Sequence, residues 1–193
     1  MGQIEDSELA CRCKSGSPGA FDELVLRFQR KVFNVAYRLL NNYDEAGDVA
    51  QEVFVRAWRA IKGFRQEANI FTWLYRITVN LSRNRLKIMN RDKMRLKSMD
   101  DPVATEEGEM KQEIAADKPL PSEILEDKER QELIQSALIS LDAQHREVLV
   151  LRDIEGLSYE EIAGVLQINV GTVKSRLHKA RALLREGLKG VLR

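Results

Sequence analysis

Three observations predict an all-α fold of two small helical domains joined by a flexible acidic linker. Apolar residues recur at helical spacing toward both ends of the chain, and no segment shows the strict alternation of a half-buried strand. Between Ser98 and Pro121 the pattern stops: this stretch holds three of the four prolines, many acids and no aromatic ring. Such a segment cannot bury enough apolar surface to hold a fold alone, so it reads as a linker. The predicted divisions are a first domain over 1–97, a linker over 98–121 and a second domain over 122–193.

The first domain opens with GSPGAFDELVLRFQRKVFNVAYRLL, in which loop residues give way to Phe21, Leu24, Phe28, Val32, Val35 and Leu39 at helical intervals. Asn41 and Asn42 interrupt it. A second helix is predicted from about Asp44 to Lys62, burying Val49, Val53, Ala57 and Ile61. Its outward side presents Asp44, Asp48, Gln51, Glu52, Val55 and Arg59, either a solvated face or a surface for another protein. After a short loop, Gly63 to Asn69, a third helix is predicted from Ile70 to about Asn90, with Ile70, Leu74, Ile77, Leu81 and Ile88 buried. Arg76, Asn80, Arg83 and Lys87 share another face, and Phe64, Phe71, Trp73 and Tyr75 lie close by. Cations beside aromatics suit single-stranded nucleic acid, whose bases stack on rings while its phosphates meet Lys and Arg. The plainer alternative is that some of these rings are core.

The second domain is predicted to hold helices at about Ser122–Leu138, Asp142–Ile154, Ser158–Leu166 and Val170–Gly187. Ser158 with Glu161 fits a capping box, and Asn169 is a plausible N-cap for the helix after it. Two short helices joined by so tight a turn form the helix-turn-helix pattern, whose second helix enters the DNA major groove. In VGTVKSRLHKAR, Val170 to Arg181, five residues are cationic or histidine and none is acidic. Val170, Val173, Leu177, Ala180 and Leu184 mark a core face, while Gly171, Ser175, His178 and Ala182 lie opposite, flanked by Thr172, Lys179, Lys174 and Arg181. Small residues at the centre let a helix approach base edges, and donors at the rim meet phosphates.

Composition supports a nucleic-acid partner and excludes several classes. The 193 residues are 44% hydrophobic and 32% charged, as in a globular chain with charge to spare. Met1–Lys97 has 18 basic and 11 acidic residues, Ser98–Glu129 has 3 and 11, and Arg130–Arg193 has 10 and 8. Two basic blocks joined by an acidic one suggest a polyanionic partner. No apolar run approaches a membrane span, and MGQIEDSELA is acidic where a signal peptide is basic, so direct membrane insertion is not expected and the cytoplasm is. Cys11 and Cys13, in CRC, cannot build a disulfide framework and have no nearby histidine, so they read as incidental thiols. No metal site, cofactor or catalytic constellation is expected, and the chain is not read as an enzyme.

DEAGDVAQEVFVRAWRAI, FRQEANIFTWLYRITVN and LSYEEIAGVLQINVGTVKSRLHKAR together resemble a bacterial extracytoplasmic-function (ECF) sigma factor, RpoE-like, of the sigma-70 family. The resemblance runs through nearly the whole chain in order. It implies a sigma domain two bundle, an acidic linker that threads through the polymerase toward the RNA exit path, and a sigma domain four. The implied job is to bind core RNA polymerase, direct it to promoters and melt them. Asp48, Gln51 and Glu52 would contact the clamp of the largest subunit, with the flap of the second-largest subunit as a further partner. Phe64, Arg65, Gln66, Glu67, Ala68 and Asn69, with Arg76, Asn80, Arg83 and Lys87, would read the minus-ten element as melted strand, capturing a flipped base. Gly171, Thr172, Lys174, Ser175, Arg176, His178 and Lys179 would read the minus-thirty-five element as duplex, with Arg152 and Tyr159 on nearby phosphates. An anti-sigma factor and a stress response are implied as well. Gly47 departs from the family, which often carries an acid there. The rival reading is a one-component regulator, a helical sensor domain fused to a helix-turn-helix; it predicts a ligand pocket and promoter binding without polymerase.

Overall fold

The computed structural model describes residues 5–64, 69–99 and 121–191, with side chains at all of these except 93, 96–99, 121–129 and 189–191. Among the described residues there is no strand. Eight α-helices run in order: α1 Asp6–Lys14, α2 Ala20–Leu40, α3 Tyr43–Ala60, α4 Ile70–Met99, α5 Pro121–Ile139, α6 Ala143–Leu149, α7 Tyr159–Leu166 and α8 Val170–Val191. A 3₁₀ turn, Ile61–Gly63, ends α3, and a π-helical turn, Val150–Ile154, extends α6.

The two asparagines expected to interrupt the first run do separate jobs. Asn41 ends α2 in the left-handed conformation (φ 52°), its N–H donating to Tyr37 O. Asn42 is extended, and its side chain accepts the N–H of Glu45 at 3.0 Å as the N-cap of α3. The chain thus reverses within two residues and lays α3 against α2. Their shared core takes in Leu24, Phe28, Val32, Val49, Val53, Ala57 and Ile61, closed by Phe64, Ile70 and Leu74. Helix α1 is an addition to the elements that periodicity predicts. It buries Leu9, Ala10 and Cys13 against the same core and points Cys11 outward. Burial pushes the Cys13 thiol above its ordinary pKa, which lowers its reactivity.

Ile88 corrects the expected buried stripe of α4: it is 42% exposed. The helix runs on to Met99, well past Asn90, while the α2–α3 turn lies beside Leu86 and Asn90. The bundle ends there, so residues on the old inward face meet solvent.

The second half is built on Arg146. Its side chain is buried and donates to the carbonyls of Leu138, Ile139 and Leu141, at the end of α5, and to Leu39 O at the end of α2, at 2.6–3.0 Å. Asp142 caps α6 by accepting the N–H of His145 at 2.9 Å, which holds its carboxyl below the usual range. From Arg146 through Leu151 every residue is buried.

Both expected helical domains are present, and they pack on each other. Val35, Leu39, Tyr75 and Val79 from the first share one core with Leu138, Val148, Leu151, Leu157, Ile162, Leu177 and Ala180 from the second. Around it, Arg83 and Glu147 form two bonds of 2.6 Å, and Tyr75 donates to Glu155. Gln135 donates to Tyr37 O and accepts from Arg38. Beside them Ser82 Oγ is buried without a hydrogen-bond partner among the described residues.

Removing the Arg146 guanidinium leaves buried carbonyls unsatisfied in both halves. Arg146→Met is expected to lower the unfolding free energy by about 3 kcal/mol, measured by urea titration of the helical circular dichroism signal.

Candidate nucleic-acid interface

The expected capping box opens α7: Ser158 Oγ accepts the N–H of Glu161 at 3.1 Å, and Glu161 accepts the N–H of Ser158 at 2.8 Å. Gln167 closes the helix in the left-handed conformation (φ 57°), and Ile168 N–H reaches back to Ala163 O at 3.2 Å. At Asn169 it is the carbonyl that accepts the first bond of α8, from Val173 N–H. The turn between the two helices is therefore Gln167–Asn169.

Helix α8 has two unlike sides. Val173, Leu177 and Ala180 are buried against α6 and α7. Gly171, Lys174, Ser175, His178, Lys179 and Ala182 are exposed, and Thr172 and Arg176 are half-buried between. Ser175 Oγ donates to Thr172 O within the helix. At one rim the ring of Tyr159 carries two cations, Arg152 at 4.9 Å and Lys174 at 5.8 Å from its centroid. Arg152 also donates to Leu157 O at 2.6 Å, which fixes its stem. Arg181, about two turns further along α8 than Lys174, is held by both carboxylate oxygens of Asp153. A shallow cleft of about 300 Å³ opens between Tyr159, Lys174, His178 and Arg181.

In the first half, Arg76, Asn80 and Lys87 are exposed along α4. Arg83, on the same side, is occupied by Glu147, whose hydrogen bonding holds the guanidinium charge more firmly than usual. Asn69 is exposed, and its side chain accepts the N–H of Phe71 at the start of α4. Arg65, Gln66, Glu67 and Ala68 lie outside the described residues, as does the linker from 100 to 120. The expected row of stacking rings takes a different form. Phe64 is buried with its ring centroid 5.1 Å from that of Trp73, and Tyr75 is buried between the two halves. Both burial and the bond to Glu155 push the Tyr75 hydroxyl pKa upward. Phe71 and Trp73 stay half-buried.

On α3, Asp48 and Gln51 are exposed and Glu52 is half-buried, pairing with Arg56 at 2.7 Å. Arg85 of α4 reaches Glu45 and, at 3.4 Å, Asp48. This face is acidic but threaded by arginines. Among the described residues no group of three or more His, Cys, Asp or Glu could hold a metal ion. None of their helices is long and apolar enough to cross a membrane.

Residues 24–91 match Sigma-70 region 2, and residues 131–184 match Sigma-70, region 4. The chain is 37% identical over 195 residues to the RNA polymerase sigma-H factor of Pseudomonas aeruginosa, covering 100% of this chain and 98% of the relative. It is 38% identical over 177 residues to the ECF RNA polymerase sigma factor SigW of Bacillus subtilis, covering 91% and 92%. The chain belongs to the ECF sigma factor family.

Its role is accordingly that of a transcription initiation factor. The sigma factor is similar in structure to CnrH, solved in complex with the cytosolic domain of CnrY, with a TM-score of 0.68, 28% identity, and 96% and 97% of the two chains covered. It is also similar to the sigma factor RpoE of Bartonella quintana, solved with the anti-sigma factor NepR, with a TM-score of 0.65, 27% identity, and 89% and 98% of the two chains covered. The region 2 match spans α2, α3 and most of α4, and the region 4 match runs from within α5 into α8. Sequence reasoning missed several residues that organise these regions: Glu147 and Glu155, which meet Arg83 and Tyr75, and Asp153, which anchors Arg181. Their partners are 64, 80 and 28 positions away, beyond the reach of any helical spacing.

The two sides of α8 in this sigma factor predict opposite outcomes of mutation. Leu177→Ala is expected to destabilise the protein by about 3 kcal/mol. Ser175→Ala is expected to change stability by less than about 0.5 kcal/mol, both read from denaturant midpoints.

Proposed function

We propose that this sigma factor brings core RNA polymerase to its promoters by reading the minus-thirty-five element as duplex and the minus-ten element as melted strand. The observation that carries the reading is the division of α8, with Val173, Leu177 and Ala180 buried while Gly171, Ser175 and His178 face out between cations. Gly171 has open space around its Cβ position, so nothing on this side stands between the helix and a base edge. Lys174, Arg176 and Lys179 then meet phosphates beside Thr172, and the pair Tyr159 and Arg152 grips the backbone at the rim. Ser175 and His178 are the base readers.

For the minus-ten element, Asn69, Arg76, Asn80 and Lys87 support the reading by their exposure along and before α4. Arg83 joins them once freed from Glu147, and residues 65–68 are assigned to the same element. Lifting a base from the stack costs a few kcal/mol, which edge hydrogen bonds and stacking offset. Phe71 and Trp73, half-buried, are the rings within reach of this side. Asp48, Gln51 and Glu52 dock on the clamp of the largest polymerase subunit, and the second domain on the flap of the second-largest. The chain acts in the cytoplasm, without catalysis or cofactor of its own. CnrH and Bartonella RpoE, the latter solved with an anti-sigma factor, support an anti-sigma partner here too.

Purified chain added to core polymerase and a promoter library, with the transcripts sequenced, tests the whole reading; no stable complex with core sinks it. Lys179→Ala is expected to weaken promoter binding over all sequences and to reduce the log–log salt slope by about 0.9. Ser175→Ala and His178→Ala are expected to relax sequence preference, at about 1–3 kcal/mol for a lost base contact; equal weakening on every sequence refutes base reading by these two. Glu52→Lys is expected to abolish core binding with helicity intact, as measured by co-sedimentation and circular dichroism.

A further inference from the structure

We infer that Asp153 withholds Arg181 from duplex DNA, so that α8 grips the phosphate backbone with one cation fewer than its sequence carries. The inference rests on the duplex reading proposed for α8. It concerns how tightly the chain holds DNA rather than which bases it prefers.

Arg181 lies on the side of α8 that this reading turns toward DNA. With Lys174, His178 and Arg185 it borders the cleft of about 300 Å³ beside the Tyr159 ring. By type and position it would be a phosphate contact, as Lys174 and Lys179 are in that reading. Instead its Nε donates to Asp153 Oδ2 at 3.0 Å and its Nη2 to Asp153 Oδ1. Its neighbours are not so occupied: Lys174, Arg176, Lys179 and Arg185 pair with no carboxylate among the described residues. Nor is Asp153 drawn to the cation beside it in sequence. The Arg152 guanidinium lies over Tyr159 and donates to Leu157 O, which leaves Arg181 as the partner of this carboxylate.

A bidentate carboxylate takes up one whole edge of the guanidinium fork. Both side chains are exposed, so the pair adds little to stability, and its charge balance is the larger effect. Duplex binding is driven by counterions released as phosphates are neutralised, each contact adding about 0.9 to the log–log salt slope. A pair with no net charge releases none. A guanidinium that swung across to a phosphate would leave the Asp153 carboxylate beside the same backbone, so the sum is unchanged. Phosphates carry no base identity, and withholding one contact therefore loosens the hold on every duplex alike. The free chain is less drawn to random DNA and more available to core polymerase.

The test uses the full chain as parent, as Asp153→Asn, as the double variant Asp153→Asn with Arg181→Gln, and as Lys179→Ala. Fluorescence anisotropy reads binding to a random-sequence duplex pool, and to several duplexes of single sequence, between about 0.05 and 0.2 M salt. Asp153→Asn is expected to bind random duplex about tenfold more tightly at about 0.1 M salt, with the slope steeper by about 0.9. The gain is expected to be equal on every duplex, and the double variant to return to the parent's affinity and slope. No gain in Asp153→Asn, a gain that survives in the double variant, or a gain confined to particular sequences overturns the inference. Should Asp153→Asn lose helicity by circular dichroism, Asp153→Ala decides on the same measures. Lys179→Ala separates this idea from the one beneath it. If Lys179→Ala flattens the slope while Asp153→Asn does not steepen it, the restraint alone falls; if Lys179→Ala changes nothing, the duplex reading of α8 falls and the restraint with it.

Discussion

A single buried guanidinium ties the two halves of this protein together. The last carbonyls of a helix have no partner within it, and they carry the negative end of the helix dipole. Near the ends of α2 and α5 some of these carbonyls are drawn to one point, where Arg146 donates to Leu39 O from the first and to Leu138 O, Ile139 O and the following Leu141 O from the second. Lysine could not replace it, since its three donors leave a single nitrogen, whereas the planar fork spreads its donors across several acceptors. Burial lowers the pKa of Arg146, the expected cost of desolvating a cation, and the carbonyl cage offsets that cost. With Arg146 seated, Glu147 is directed at Arg83 and the buried run Val148–Leu151 becomes the platform for α7 and α8.

The orientation of α8 derives from that platform. Its inward residues Val173, Leu177 and Ala180 have one apolar surface to meet, so its small and cationic residues are left facing solvent. The Tyr159 ring then sets the edge of this side by gathering Arg152 and Lys174. The specificity of a groove-reading helix thus begins with packing on its opposite side, and with the capping box that fixes where α7 starts.

Local periodicity made much of this legible. The apolar stripes of α2, α3 and α8 were readable because the residues each helix buries recur at helical spacing, and the Ser158 cap because its signal spans only three residues. Three kinds of feature were not. Helix α1 buries only Leu9, Ala10 and Cys13, too few to give a stripe. Charged residues such as Glu147, which is 3% exposed, look solvated in sequence because the partner that compensates them is far along the chain. Tyr75 and Phe64 could equally have been stacking rings or core, and only the tertiary packing decides for core.

The π-helical turn at Val150–Ile154 has a consequence for how this fold can vary. There Glu155 N–H bonds to Val150 O, one residue further back than in an α-helix. One surplus residue is thereby stored in the coil, and it rotates the downstream residues by about 100° relative to an uninterrupted helix. That phase shift is what lets Asp153 look toward Arg181 while Glu155 looks toward Tyr75. Deleting a single residue there would restore regular winding and still leave both carboxylates aimed away from their partners, so the register of the coil, as much as the identity of its side chains, is under constraint.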